Sequence, residues 1–179
     1  LKQCYYASVS YIDAQYGKIL AHLEELCLSE NTGIIVWGDH GWKLGEHNCW
    51  CKQTNYNIDI HVPMMVYSPK IKGQGHQTFE ITELVDIFPS LLELAGLESP
   101  SYLQGQSFVP LIDNPKLKWK EAAFSQFHRR PKVTPDGQHY MGYSMRKKEY
   151  HYIEWYVWDN EKGEKGNFAS RELYDILND

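Results

Sequence analysis

Four consecutive apolar residues, Ile34-Ile35-Val36-Trp37, sit between a turn and a long polar stretch, and they constrain the fold more than any other feature. A strand with one face in water alternates apolar and polar residues, whereas a run without alternation asks for cover on both faces. A helix is expected just upstream. Val9, Ile12, Tyr16, Ile19, Leu20, Leu23 and Leu26 recur at spacings of three and four, the apolar stripe of a helix. Ser29-Glu30-Asn31-Thr32-Gly33 supplies the turn between them. Helix, short turn and covered strand predict an α/β domain. The periodicity is already running at Tyr5 and Tyr6 with no capping residue ahead of it, so the chain reads as a piece of something longer.

Beyond the strand, residues 38–60 are polar, carry glycine, and are dense in His, Asp, Trp and Cys. A second buried strand is expected over 62–67, closed by Ser68-Pro69, and a polar, glycine-bearing loop over 70–77. Residues 83–94 have helical periodicity. Asp86 is placed to cap the regular part, Pro89 falls in the first turn, and Gly96 stands just past the end. Residues 98–120, with Pro100, Pro110 and Pro115, read as a connecting segment. Aromatic-rich strands are then expected over 122–127, 140–146 and 150–157, with Lys147-Lys148-Glu149 as a hairpin turn and a short last strand at 171–174. The tail of the chain is thus a small antiparallel layer.

Several classes are excluded. Eighteen basic against 23 acidic side chains, a net charge of −5, lack the basic surplus of a nucleic-acid binder. No apolar run approaches the ~20 residues that span a bilayer, and the first six residues carry no signal-peptide apolar region. Neither nucleic acid nor membrane is expected as a partner. Four cysteines are too few for a disulfide scaffold in 179 residues, and Cys49-Trp50-Cys51 has one intervening residue where zinc and redox pairs have two. They are read as reduced and buried, with the compartment left open.

The strongest chemical signal is Gly38-Asp39-His40-Gly41, directly after the first strand. Ligands of open α/β sheets bind beyond the carboxyl ends of strands. A carboxylate beside an imidazole suits a divalent cation, and flanking glycines let the backbone approach. The same residues also make a turn Asp next to a surface His, and spacing alone leaves both readings standing. Lys52, thirteen residues past Asp39, has the chemistry to hold an anionic oxygen and stabilise a leaving group, or to be a solvated lysine. Glu46-His47 is a titratable pair or a loop-fixing one, and Asp59 and His61 flank the next strand, where either can cap it. No nucleophile elbow, phosphate loop or dinucleotide fingerprint is present.

Three segments together resemble the type I sulfatases: Tyr5-Tyr6-Ala7-Ser8-Val9-Ser10-Tyr11-Ile12-Asp13, then Gly38-Asp39-His40-Gly41-Trp42-Lys43-Leu44-Gly45-Glu46-His47, then Trp50-Cys51-Lys52. Within that family the iduronate-type branch is the nearer. Further matches are His61-Val62-Pro63, residues 84–91, Ser125-Gln126-Phe127, Met141-Gly142-Tyr143-Ser144 and Glu172-Leu173-Tyr174-Asp175. The resemblance implies an alkaline-phosphatase-like α/β core, here its C-terminal part over residues 1–116, followed by a small antiparallel subdomain over 117–179. It implies hydrolysis of sulfate esters of sugars such as iduronate 2-sulfate, in a secreted, periplasmic or lysosomal setting. Carried over, Asp39 and His40 are the downstream ligands of one Ca2+, and Lys52 is the catalytic, sulfate-binding lysine.

Trp42 is a candidate wall of the sugar subsite, and Arg129 and Lys132, in the basic run His128-Arg129-Arg130-Pro131-Lys132, are candidate partners of a uronate carboxylate. The family's formylglycine is made within Cys/Ser-x-Pro-x-Arg, and its calcium is also held by an upstream Asp-Asp pair. Neither motif occurs here. The expectation is the C-terminal portion of a sulfatase, carrying half a site, whose missing partner is the N-terminal portion. Two alternatives remain: a phosphodiesterase or phosphonate hydrolase of the same superfamily, and a non-catalytic binding module.

Overall fold

The computed structural model of the protein describes residues 1–71 and 75–178, so residues 72–74 of the expected 70–77 loop lie outside it. Helix α1 (Lys2–Glu25) forms where the apolar stripe predicts it. None of its residues is buried, and Tyr16 and Ile12 are 42% and 49% exposed. The chain runs from β1 (Ile34–Trp37) through a loop holding the two-residue strands β2 (Lys43–Leu44) and β3 (Trp50–Cys51) and the single turn α2 (Asn57–Ile60). It returns as β4 (Met64–Tyr67).

β1 and β4 pair antiparallel, Ile34 opposite Tyr67 and Trp37 opposite Met64. A parallel return needs a crossover of a dozen or more residues, usually a helix, and α2 is too short to be one. The expectation of cover on both faces is corrected in part. Ile35, Met64 and Val66 pack on the core, while Met65 on the other face is 64% exposed.

The core itself is built by α3 (Ile87–Leu94) and α4 (Val109–Asp113). Ile87, Phe108 and Leu111 are its buried centre, with Ile112, Leu117 and Trp119 around them. Two of the three central residues thus come from the segment read as a mere connection. Pro110 in the first turn of a five-residue helix leaves too little chain for periodicity to register. Asp86 is fully buried but caps no N–H of α3. Its carboxylate accepts instead from the Glu83 and Gln106 N–H groups and from Lys120 Nζ. Ser90 Oγ donates to the Asp86 carbonyl and accepts the Phe108 N–H, which fixes the segment before α4 against α3. Gly96 takes φ 73°, the left-handed value its place after a helix predicts.

The chain ends in a four-stranded antiparallel sheet, in order β5 (Ala123–Arg129), β6 (Tyr140–Arg146), β7 (Tyr150–Asp159) and β8 (Glu164–Asp175). β6 matches its expected bounds, and β8 has twelve residues where four were expected. The sheet rests on residues 54–57, just past the candidate site loop. A Cβ on Gly142 would lie 2.5 Å from Asn55 Nδ2, so only glycine lets that contact form, and Arg146 Nε donates to Asn57 Oδ1 at 3.0 Å. The cysteine reading is corrected. All four are free, but Cys4, Cys27 and Cys51 are exposed and Cys49 is half-buried.

Candidate active site

Asp39 and His40 directly follow the carboxyl end of β1. Gly38 carries the pairing one step further by donating its N–H to the Pro63 carbonyl. His40 Nδ1 lies 2.9 Å from the Gly41 carbonyl. A carbonyl only accepts, so Nδ1 is the donor here, and Nε2 faces an ammonium that can only donate to it. Lys52 Nζ lies 2.5 Å from that nitrogen, and Asp39 Oδ2 lies 3.2 Å from it. The three side chains that the family resemblance singled out therefore meet at one atom. They line an open cleft of about 1710 Å³ together with Thr54, Asp59 and Arg146.

The loop between them is strained. Outside glycine, positive φ occurs at Cys27, His47, Asn48, Cys51 and Gln53 among the described residues, so four of the five cases fall within residues 47–53. Each such residue costs of order 1 kcal/mol and persists only where the surroundings enforce it. Cys51 and Gln53 flank Lys52, and β2 and β3 pair Lys43 with Cys51 and Leu44 with Trp50. Glu46 accepts the Leu44 N–H at 2.5 Å, and this bond holds its carboxyl below the usual carboxylate range. The His47 ring stacks on Tyr56 at 4.3 Å. Glu46 and His47 thus both fix the loop, through separate partners.

The other candidates lie elsewhere. Trp42 stacks between His40 and Tyr5 of α1, each ring 6.3 Å away. Arg129 belongs to β5, with its guanidinium 5.6 Å above the Trp155 ring. Lys132 is exposed on a short 3-10 turn. None of these three lines the cleft. Sequence reading took Asp59 only as a candidate strand cap and missed its buried partner Lys43 beneath the loop, as well as Arg146, which reaches the cleft from β6. An Arg in the same alternate row of β6 as Gly142 and Ser144 was the one signal available for it.

The sulfatase family model matches residues 1–97, more than half of the chain. Iduronate 2-sulfatase of Homo sapiens is 31% identical over 180 residues, covering 87% of this chain and 33% of that protein. A solved structure in complex with its substrate D-glucosamine-2-N,6-O-disulfate superposes with TM-score 0.77 at 27% identity, over 94% of this chain and 32% of the other. A phosphonate monoester hydrolase from Silicibacter pomeroyi superposes with TM-score 0.75 at 24% identity, over 93% and 33%. At that identity the last shows shared fold alone. Fold and matches define an α/β protein of the alkaline-phosphatase-like class. Within that class the chain belongs to the sulfatase family, and it spans about a third of the length of the relatives it matches.

Proposed function

We propose that this chain supplies the metal-ligand pair and the sulfate-binding lysine of a sulfate-ester hydrolase acting on sulfated sugars, with iduronate 2-sulfate the substrate of first choice. The observation that carries the reading is the convergence of Asp39, Lys52 and the His40 Nε2 lone pair. The Lys52 ammonium is the cation at His40 Nε2 in this structure; turned toward a sulfate, it would leave a carboxylate oxygen and an imidazole nitrogen 3.2 Å apart, donors of the kind a divalent cation takes. The donor set therefore fits a divalent metal, calcium by resemblance. It is only part of a shell, since no group of three or more His, Cys, Asp or Glu suited to a metal occurs among the described residues.

When bound, such a cation polarises a sulfate oxygen as a Lewis acid. Asp39 and His40 hold it, and the His40 tautomer is set by the Gly41 carbonyl. The Lys52 ammonium holds the sulfate and stabilises the charge that grows on the bridging oxygen as the ester bond breaks. The attacking formylglycine and the remaining ligands belong to the N-terminal portion of the family, which by this reading completes the site. Residues 1–116 then act as core and 117–179 as a supporting subdomain. Trp42 packs against His40 from outside the cleft lining. Arg129 and Lys132 do not line it either, and a role for them toward a uronate would need the N-terminal portion to extend the site to them. The setting is secreted, periplasmic or lysosomal.

The deciding measurement compares the full-length protein on an aryl sulfate, a phenylphosphonate monoester and a phosphate diester, with added calcium. Sulfate turnover is expected to dominate in kcat/KM. Preference for the phosphonate or the diester would move the protein to the other branch of the superfamily.

A further inference from the structure

Lys43 and Asp59 are 1% and 4% exposed, and they form an ion pair directly beneath the site loop. Thr54 closes the group. Its N–H donates to Asp59 Oδ2 at 2.8 Å and its hydroxyl to the same oxygen at 2.5 Å, while Lys43 Nζ donates to the Thr54 hydroxyl oxygen at 3.2 Å. The backbone joins in: the Gly41 N–H donates to the Asp59 carbonyl at 2.8 Å. One residue of α2 therefore holds the chain just after His40, through Gly41, and just after Lys52, through Thr54. Lys43 adds a third hold from β2, opposite Cys51.

We infer that the Lys43–Asp59–Thr54 group is a positioning device, which sets the separation of Lys52 from the Asp39–His40 pair. The inference rests on reading those three residues as the site. Its physical ground is direction. Two buried charges lose their hydration, and an apolar pair of similar volume commonly stabilises a fold as well or better. What an apolar pair cannot do is hold Thr54, just past Lys52, through hydrogen bonds of defined length, while the backbone bond from Gly41 to residue 59 keeps the other end in place. The segment held this way carries the four strained residues of 47–53, which would relax if released. A displacement of about 1 Å at reacting groups costs about a hundredfold in rate.

The test uses the full-length protein with the double substitution Lys43→Met/Asp59→Leu and the single substitution Thr54→Val, beside wild type and Lys52→Ala. Read-outs are thermal melting, kcat and KM on an aryl sulfate, and amide hydrogen exchange across residues 39–54. The double variant should melt below wild type, since the buried Thr54 N–H is left without its acceptor. It should stay folded and lose about 10–100-fold in kcat with KM little changed, with residues 39–54 exchanging faster. Thr54→Val, which removes one hydroxyl and keeps the shape, should lose a few-fold in kcat and serves if the double variant does not fold. Unchanged exchange, or faster exchange with unchanged kcat, overturns the inference. If Lys52→Ala loses activity while the clamp variants keep theirs, the clamp alone falls. If wild type shows no turnover or Lys52→Ala keeps it, the site reading falls and takes the positioning role with it.

Discussion

At the scale of single residues, the candidate site turns on Lys52 and on the glycine that lets its loop approach α2. Lys52→Ala in the full-length protein should lower kcat by ~10²–10³ on an aryl sulfate if, as proposed, the ammonium stabilises charge that appears only as the bond breaks. Lys52→Arg should recover little of it, because a planar fork does not occupy the place of a compact ammonium. Gly41→Ala tests the loop itself. A Cβ there would sit 1.7 Å from the Ile58 carbonyl oxygen, so either the loop or α2 must move. Melting and kcat should both fall, with ~1–3 kcal/mol of stability lost. Gly17→Ala on α1 is the control, with nothing within 4 Å of its Cβ, and should gain ~0.5–1 kcal/mol. An unchanged Gly41→Ala would mean that the loop is looser than its contacts require. Spacing alone left Asp39, His40 and Lys52 with ordinary readings; the family resemblance singled them out together, and they do meet at one atom. The meeting of Lys43, Asp59 and Thr54 was not legible, because it depends on a β2–β3 register and a turn of α2 that no local pattern encodes.

Among elements, β7 carries a titration that reports on the sheet. His151 is 1% exposed, with Nε2 buried and unpartnered, and it stands opposite Arg146 of β6 and Tyr174 of β8. Burial, reinforced by the Arg146 charge and opposed by Glu172, pulls its pKa from 6.5 down to about 4. Because the folded value lies below the unfolded one, stability is full above pH 6.5, declines as pH falls toward 4, and is level below that. The loss is about 3 kcal/mol. Amide exchange in β6 and β7, corrected for intrinsic rates, should quicken over that window in wild type and lose the dependence in His151→Phe. A His151→Phe profile that still follows the wild-type slope would assign the titration to another group. Elements with their own pattern were the readable ones: α1, β1 and β6 formed where periodicity or apolar runs set them. β8 was read too short because residues 164–171 are all exposed at the sheet edge and carry no alternation. α4 was missed because five residues hold barely more than one turn.

For the molecule as a whole, the question is how much of an enzyme these residues make. The chain holds a carboxylate, an imidazole and an ammonium at one cleft, and no Cys/Ser-x-Pro-x-Arg in which a formylglycine could arise. A calcium shell of six to eight oxygens is out of reach for Asp39 and His40 alone. The apolar stripe of α1 and the open face bearing Met65 point the same way, for both present apolar surface that a longer sulfatase would cover. Expressed by itself, the 179-residue chain should therefore release no product from an aryl sulfate or a sulfated disaccharide above background, with or without calcium. Calorimetry on the same sample should show weak calcium binding or none. The full-length protein, assayed beside it under the same conditions, should turn over. On the proposed reading the reaction begins with attack by a formylglycine, and Lys52 with Asp39 and His40 would only orient a sulfate that nothing attacks. Turnover by the chain alone, surviving removal of trace contaminants and lost in Lys52→Ala, would place a nucleophile within these residues and overturn the division of labour proposed for the site.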